Sequence, residues 1–266
     1  MAGQQVIDFH VHAFPDFLAQ KATARVRQDA GKEPAFDGTI AALLASMDAA
    51  GIEKSVVLSV ATRPSQFPAI LEWSRGIRGS RIEPFLSVHP DDPQAAGRVR
   101  IAAAEGFRGF KFQPYDQNFH LDEERMFPVY EALQETGLLC MAHTGFDLAH
   151  PFERRADPPR IAAVLARFPG LRFVATHLGS WRDWDLVARL LPRSGAWTDI
   201  SYSLPFMTTA EARALVALFP PDRLLFGSDS PWADQAESLR QLRDLRLASD
   251  LEAAILGDNA RLLLGD

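Results

Sequence analysis

Residues 8–12 read Asp-Phe-His-Val-His. In an extended strand side chains alternate, so Asp8, His10 and His12 share one side and Phe9 and Val11 the other. Two imidazoles on adjacent inward positions suit a single metal ion. Alone the pair is a weak sign: seven His in 266 residues give roughly 0.2 such pairs by chance, and a hydrogen-bonded core pair is the plainer alternative. Three further residues change that balance. His143 in CMAHTG, His177 in VATHLG and Asp229 in FGSDSP each close an apolar run and precede a Gly or Pro turn. A buried imidazole or carboxylate is costly without a partner. Four His and one Asp meeting at one rim are more simply explained by a divalent cation than by five separately satisfied core residues.

Such convergence needs strands that end on one rim. Apolar, β-branched or aromatic runs predict strands at 6–12, 55–60, 82–89, 107–114, 138–145, 172–179, 196–202 and 224–231. Most lack polar alternation, as parallel strands covered on both faces do. The stretches between them have helical periodicity. Ile40, Leu43, Leu44 and Met47 share a face, with Gly51 placed to end the helix. Pro158 and Pro159 suit a first turn, and Thr208 with Glu211 makes a capping box. RDWDLVARLL, ERMFPVYEALQETG and AESLRQLRDLRL fill other gaps, Pro128 leaving one start open. LEAAILGDNARLLLG reads as a last helix on the outside. Eight such repeats predict an α/β fold, a (β/α)₈ TIM barrel, as one domain over 1–266; a doubly wound open sheet is the alternative. Two long loops distort the mouth: 13–38, with an extra helix around 18–28, and 145–157.

Composition narrows the functional classes. The chain is 47% hydrophobic and 23% charged, with a net charge of −6, which lacks the basic field that nucleic-acid binding requires. No apolar run reaches the ~18 residues of a membrane span, and the start has no basic segment followed by an apolar one. A cytoplasmic address is therefore expected. Cys140 is the one cysteine, which excludes an internal disulfide and a multi-cysteine metal site. It is expected in the core rather than as a nucleophile. The expected partner is a small-molecule substrate, with neither nucleic acid nor membrane; a homodimer is left open.

With DFHVH, GFKFQP, the two single-His strands and LLFGSDSPW in view, the chain resembles the amidohydrolase superfamily of metal-dependent barrels. The likeness is to its amidohydrolase-2 branch, which contains relatives of aminocarboxymuconate-semialdehyde decarboxylase, and it spans essentially the whole chain. It implies that His10, His12, His143 and Asp229 ligate one metal, with His177 beside it as an acid–base or water-orienting group. Imidazoles and a carboxylate suit Zn²⁺ first, and also Mn²⁺ or Fe²⁺. Such an ion lowers the pKa of bound water to ~7. Asp229 would accept a proton from that water while His177 polarises the substrate.

Alternation puts Lys111 and Gln113 inward, with Phe110 and Phe112 outward. In binuclear members of the superfamily a carbamylated Lys bridges two metals; in the mononuclear branch a Lys in G-x-K-x-x-P stays an ammonium and pairs with a carboxylate. One metal and a charged Lys111 are expected. Gln113 departs from the His found in several relatives. Arg154 and Arg155 on a mouth loop suit an anion clamp, or a solvated pair. Trp181, Phe206 and Trp232 suit an apolar pocket wall, or plain loop packing. His89 is expected to line the mouth without ligating, and His120 and His150 to lie on the surface.

Three functions compete. The leading one is a metal-dependent hydrolase attacking an ester, lactone or amide of a small carboxylate-bearing organic molecule. The alternative is a metal-dependent non-oxidative decarboxylase of an unsaturated or aromatic acid, which would use the same ligands. A non-catalytic binding barrel comes third, because loss of ligands would be its mark and the set is intact.

Overall fold

A computed structural model describes residues 5–265. Residues 1–4, part of the N-terminal stretch read above for a leader, and residue 266 lie outside the described residues. Strands and helices alternate along the chain: β1 (Ile7–Val11), α1 (Asp16–Ala30), α2 (Ile40–Ala50), β2 (Lys54–Leu58), α3 (Phe67–Ile77), β3 (Ile82–Phe85), α4 (Ala95–Ala104) and β4 (Gly109–Phe112) come first. They are followed by α5 (Phe127–Thr136), β5 (Leu139–Ala142), α6 (Pro158–Arg167), β6 (Phe173–Ala175), α7 (Trp184–Leu190) and β7 (Trp197–Asp199). The last are α8 (Thr209–Val216), β8 (Leu224–Leu225), α9 (Gln235–Asp244), α10 (Ser249–Ala253) and α11 (Asn259–Leu264).

Local signals account for the element ends. Thr39 Oγ1 accepts from Ala42 N at 3.1 Å to start α2, and Gly51, at φ 71°, stops it. Leu43 and Met47 form its buried face. Thr208 and Glu211 cap α8 reciprocally. Pro128 sits in the first turn of α5, which begins at Phe127, so the proline sets the start rather than interrupting the helix. The extra helix expected in 13–38 is α1. The terminal stretch is less regular than one helix: α10 and α11 are joined by a π turn over Ala254–Asp258, where Ile255 O accepts from Phe226 N.

The strands are shorter than their apolar runs, notably at 173–175 against 172–179 and 224–225 against 224–231. The physical reason is backbone conformation. His177, Leu178 and Asp229 have φ of 60°, 52° and 69°, left-handed values that cannot continue a ladder. His177 and Asp229 therefore sit just past their strands, whereas His10 lies on β1 itself.

The chain forms two compact units. In the first (Met1–Val57, Gly79–Glu83, Asp199–Asp266), β1 lies between β2 and the segment after β8. Asp8 pairs with Ser55 and Val11 with Val57, both parallel, with a one-residue shift between them. On the other side Phe9 N donates to Phe226 O, Asp229 N to His10 O and His12 N to Ser230 O. Ile200 N donates to Leu225 O, and Ser55 N to Arg81 O. In the second unit (Leu58–Arg78, Pro84–Thr198), β4, β5, β6 and the start of β7 pair in order and in parallel, with Lys111 opposite Met141 and Ala142 opposite Ala175. Phe9 and Phe226 are fully buried in the first unit, and Phe110 and Phe173 in the second. Among the described residues no helix is long and apolar enough to cross a membrane.

Candidate active site

In the first unit β1 delivers both histidines. His10 Nε2 stands 3.1 Å from Asp229 Oδ1, and His12 Nε2 stands 3.2 Å from the same oxygen. His10 is buried and His12 partly so. The other nitrogen of His10 is committed, since Nδ1 donates to Asp199 Oδ2 at 2.9 Å. Asp199 Oδ1 in turn accepts from Ser201 N at 3.0 Å and Ser201 Oγ at 2.5 Å. Sequence reasoning missed this pair. A D-x-S in an apolar run reads as an ordinary Asx turn, and its partner lies 189 residues away.

Asp229 is held from several directions. Its N–H goes to His10 O and its carbonyl accepts from Trp232 N. Before it, Ser228 donates from N and Oγ to Asp8, at 2.9 and 2.6 Å. Asp8, fully buried, also accepts from Gln235 Nε2 at 2.8 Å and from His10 N at 3.2 Å. Burial pushes its pKa up to about 6, against the lowering effect of these hydrogen bonds. Asp8 thus braces the turn that carries Asp229. The Trp232 ring lies 6.4 Å from that of His12 and 6.5 Å from that of Phe14, and it lines a pocket with Lys32, Tyr202, Leu204 and Gly227. Phe206 packs on Tyr202, ring to ring at 5.3 Å.

The second unit brings His143 and His177 together. His177 Nε2 is 3.1 Å from His143 Nδ1, with the rings edge to face at 4.8 Å. His143 Nε2 reaches Phe146 O at 3.1 Å, which assigns its proton to Nε2 and leaves Nδ1 as an acceptor. The carbonyl of His177 accepts from the Trp184 indole at 3.1 Å. Two consecutive non-glycine residues in the left-handed region are a strained turn, worth about 1–3 kcal/mol each, and this turn points His177 away from the strand path. Thr144 Oγ1 donates to Thr176 O at 2.8 Å, tying the residues beside both histidines. Tyr115 packs edge-on against His143 and donates to Gly145 O; burial pushes its hydroxyl up to about 12.

Lys111 is buried on β4, its N–H given to Leu86 O. Gln113 bonds Asp147 Oδ2 through Nε2 at 2.8 Å. The two arginines of the mouth loop are engaged locally. Arg154 makes a two-pronged pair with Asp183, at 3.2 and 2.8 Å, while Arg155 donates to Glu153 and Asn118. Trp181 is buried, its backbone paired with Thr144 and Phe146. His89 is buried and accepts from Asp91 N, and burial lowers its pKa. His120 and His150 are half-buried beside Glu123 and Asp116. Cys140 is fully buried, which pushes its thiol pKa up.

The donor set fits a divalent cation. A carboxylate only accepts, so Asp199 assigns a proton to His10 Nδ1. With Nδ1 turned to Asp199, His10 directs Nε2 at Asp229 Oδ1, 3.1 Å away, and an imidazole nitrogen and a carboxylate oxygen so close together are donors of the kind that suit a divalent cation.

Strands alternating with helices, with His10 on β1 and His12, His143, His177 and Asp229 just past strand ends, define an α/β protein whose donor types suit a metal ion. An uncharacterised TIM-barrel protein from Bordetella bronchiseptica superposes with a TM-score of 0.77 at 22% identity, covering 98% of both chains. The manganese complex of 5-carboxyvanillate decarboxylase from Novosphingobium aromaticivorans superposes at 0.74 and 15% identity, over 99% of this chain and 97% of that one. These likenesses establish the fold as a (β/α)₈ TIM barrel. A dihydroorotase from Ectopseudomonas mendocina is 30% identical over 110 residues, 38% of this chain and 32% of that protein. The chain spans less than half the length of the curated dihydroorotases it matches. The profile described as amidohydrolase matches residues 7–265. This chain belongs to the amidohydrolase family, in its amidohydrolase-2 group.

Proposed function

We propose that this protein is a divalent-metal-dependent hydrolase that adds water to an ester, lactone or amide of a small, carboxylate-bearing organic molecule. The observation that carries the reading is the approach of two imidazole nitrogens to one oxygen of Asp229. His10, His12, His143 and Asp229 would hold one ion, with Zn²⁺ favoured by the donor types and Mn²⁺ the ion in the manganese complex of a solved relative. When bound, such an ion supplies Lewis acidity, polarising a carbonyl and lowering the pKa of water to about 7. Asp229 takes the proton released as water adds to the acyl carbon, then returns it to the leaving group. His177 donates a hydrogen bond to the oxygen that gains charge. Lys111 remains an ammonium and pairs with the substrate carboxylate. Trp232 and Trp181 wall the pocket, while Arg154 and Arg155 meet the substrate only by exchanging their present partners.

Whole-length likeness to a solved decarboxylase favours a second reading, non-oxidative loss of CO₂ from an unsaturated or aromatic acid at the same residues. Incubating the metal-loaded protein with lactones, cyclic amides and unsaturated or aromatic acids separates the two. Release of new carboxylic acid without CO₂ is expected; CO₂ evolution with no hydrolysis would replace the first reading by the second.

A further inference from the structure

We propose that Asp199, seconded by Ser201, is a positioning residue that locks His10 in the tautomer with its proton on Nδ1. The lock leaves the Nε2 lone pair for a metal ion, and in that respect it rests on the reading given above. Four observations within the first unit carry it. His10, Asp199 and Ser201 are all buried, so water cannot substitute for any member. The Asp199 carboxylate is polarised in its duties: Oδ2 faces His10 Nδ1 at 2.9 Å, while Oδ1 takes both Ser201 N and Ser201 Oγ. Ser201 Oγ also stands 2.9 Å from His10 Nδ1, so its oxygen shares the same proton. The packing makes the assembly close-fitting. A Cβ on Gly227 would come 2.8 Å from His10 Cβ, 3.2 Å from Ser201 Cβ and 3.3 Å from Asp199 Cβ. The absence of a side chain there lets β1, β7 and β8 draw in around the imidazole.

This asymmetry yields a sharp substitution. In Asp199→Asn the two Ser201 donors require an oxygen at the Oδ1 position. The amide nitrogen must therefore take the Oδ2 position and offer its own proton to His10 Nδ1. An imidazole that accepts at Nδ1 carries its proton on Nε2, so the isosteric amide turns the ligand atom into a donor. Asp199→Ala removes the lock without imposing the wrong tautomer. A purely structural Asp199 would behave oppositely, with the shape-conserving Asn tolerated better than Ala.

The test uses the whole chain and two readouts besides turnover. Zn²⁺ and Mn²⁺ affinities come from chelator competition, and the His10 ring protons from ¹H–¹⁵N correlation spectra of the metal-free protein. The expected result is a low-field Nδ1 proton in the wild type and its loss in Asp199→Asn. Metal affinity should fall by about 10–100-fold or more in Asp199→Asn, and by less in Asp199→Ala. Retention of the Nδ1 proton in Asp199→Asn, or wild-type affinity in that variant, overturns the lock. Failure of the wild type to bind either ion would instead count against the metal reading, and the Nδ1 proton would still decide the lock.

Discussion

His10 is bounded by Asp199 on one nitrogen and Asp229 on the other, and its own N–H is taken by Asp8. Around His143 and His177 stand the Phe146 carbonyl, the Trp184 indole, Thr144 with Thr176, and the Tyr115 ring. Asp147 Oδ2 stands 3.7 Å from His143 Nε2, too far for a hydrogen bond. The contrast separates two jobs. A carboxylate-backed imidazole is a stronger donor to a cation. An imidazole hydrogen-bonded to neutral groups is less strongly fixed in one tautomer, as suits exchange of hydrogen bonds with a reacting molecule. If the contrast matters, substitutions at His10 should weigh most on metal binding and those at His177 most on turnover.

The largest expected effect is at His177. His177→Asn should leave metal content near wild type while lowering kcat by ~10²–10⁴; Asn tolerates the left-handed backbone at this position. Metal analysis and kcat on the same preparation check it, and joint loss of both would make His177 a ligand. Next comes His10. His10→Ala should weaken metal binding by more than ~10²-fold, and by more than His143→Ala does. Equal losses in a chelator titration would erase the distinction.

Two glycines sharpen the contrast through stability. A Cβ on Gly145 would meet Trp181 N at 2.0 Å and O at 2.4 Å, at a φ of 90°. Backbone cannot swing aside, so Gly145→Ala should cost about 3 kcal/mol or more in urea denaturation. Gly227→Ala presses on side-chain carbons of His10 and Asp199, so it should cost less stability and appear mainly as weaker metal binding. The smallest effect concerns His89, whose pKa burial holds below the ordinary 6.5. Its contribution to stability is complete above pH 6.5 and falls as pH drops through the lower folded value. His89→Asn, which keeps an acceptor for Asp91 N, should flatten the decline of urea midpoints below pH 6.5.

Much of this was legible in the residues themselves. Unbroken apolar runs mark the buried parallel strands; His10 and His12 stand out by their alternation in DFHVH, and His143, His177 and Asp229 because each closes such a run. Other features were not legible, for physical reasons. Nothing in WTDISY says that Asp199 will meet a histidine 189 residues away. Arg154 and Arg155 looked available for an anion because Asp183 and Asn118 come to them only through tertiary packing. The left-handed turns at His177 and Asp229 carry no glycine at those two positions, so the short strands could not be told from longer ones.

The pairing of Asp8 with Ser228 spans 220 residues, and it has a consequence for biosynthesis. The turn bearing Asp229 leaves the ribosome some 220 residues after the strand bearing His10. At ~5–20 residues per second the interval is about 10–40 s. Throughout it one edge of β1 has no neighbour, although Phe9 and Val11 on that strand are fully buried once folding is complete. The nascent chain therefore displays a sticky hydrophobic ribbon carrying two histidines and lacking their carboxylate. Chaperone cover of that ribbon thus becomes part of how this protein is made.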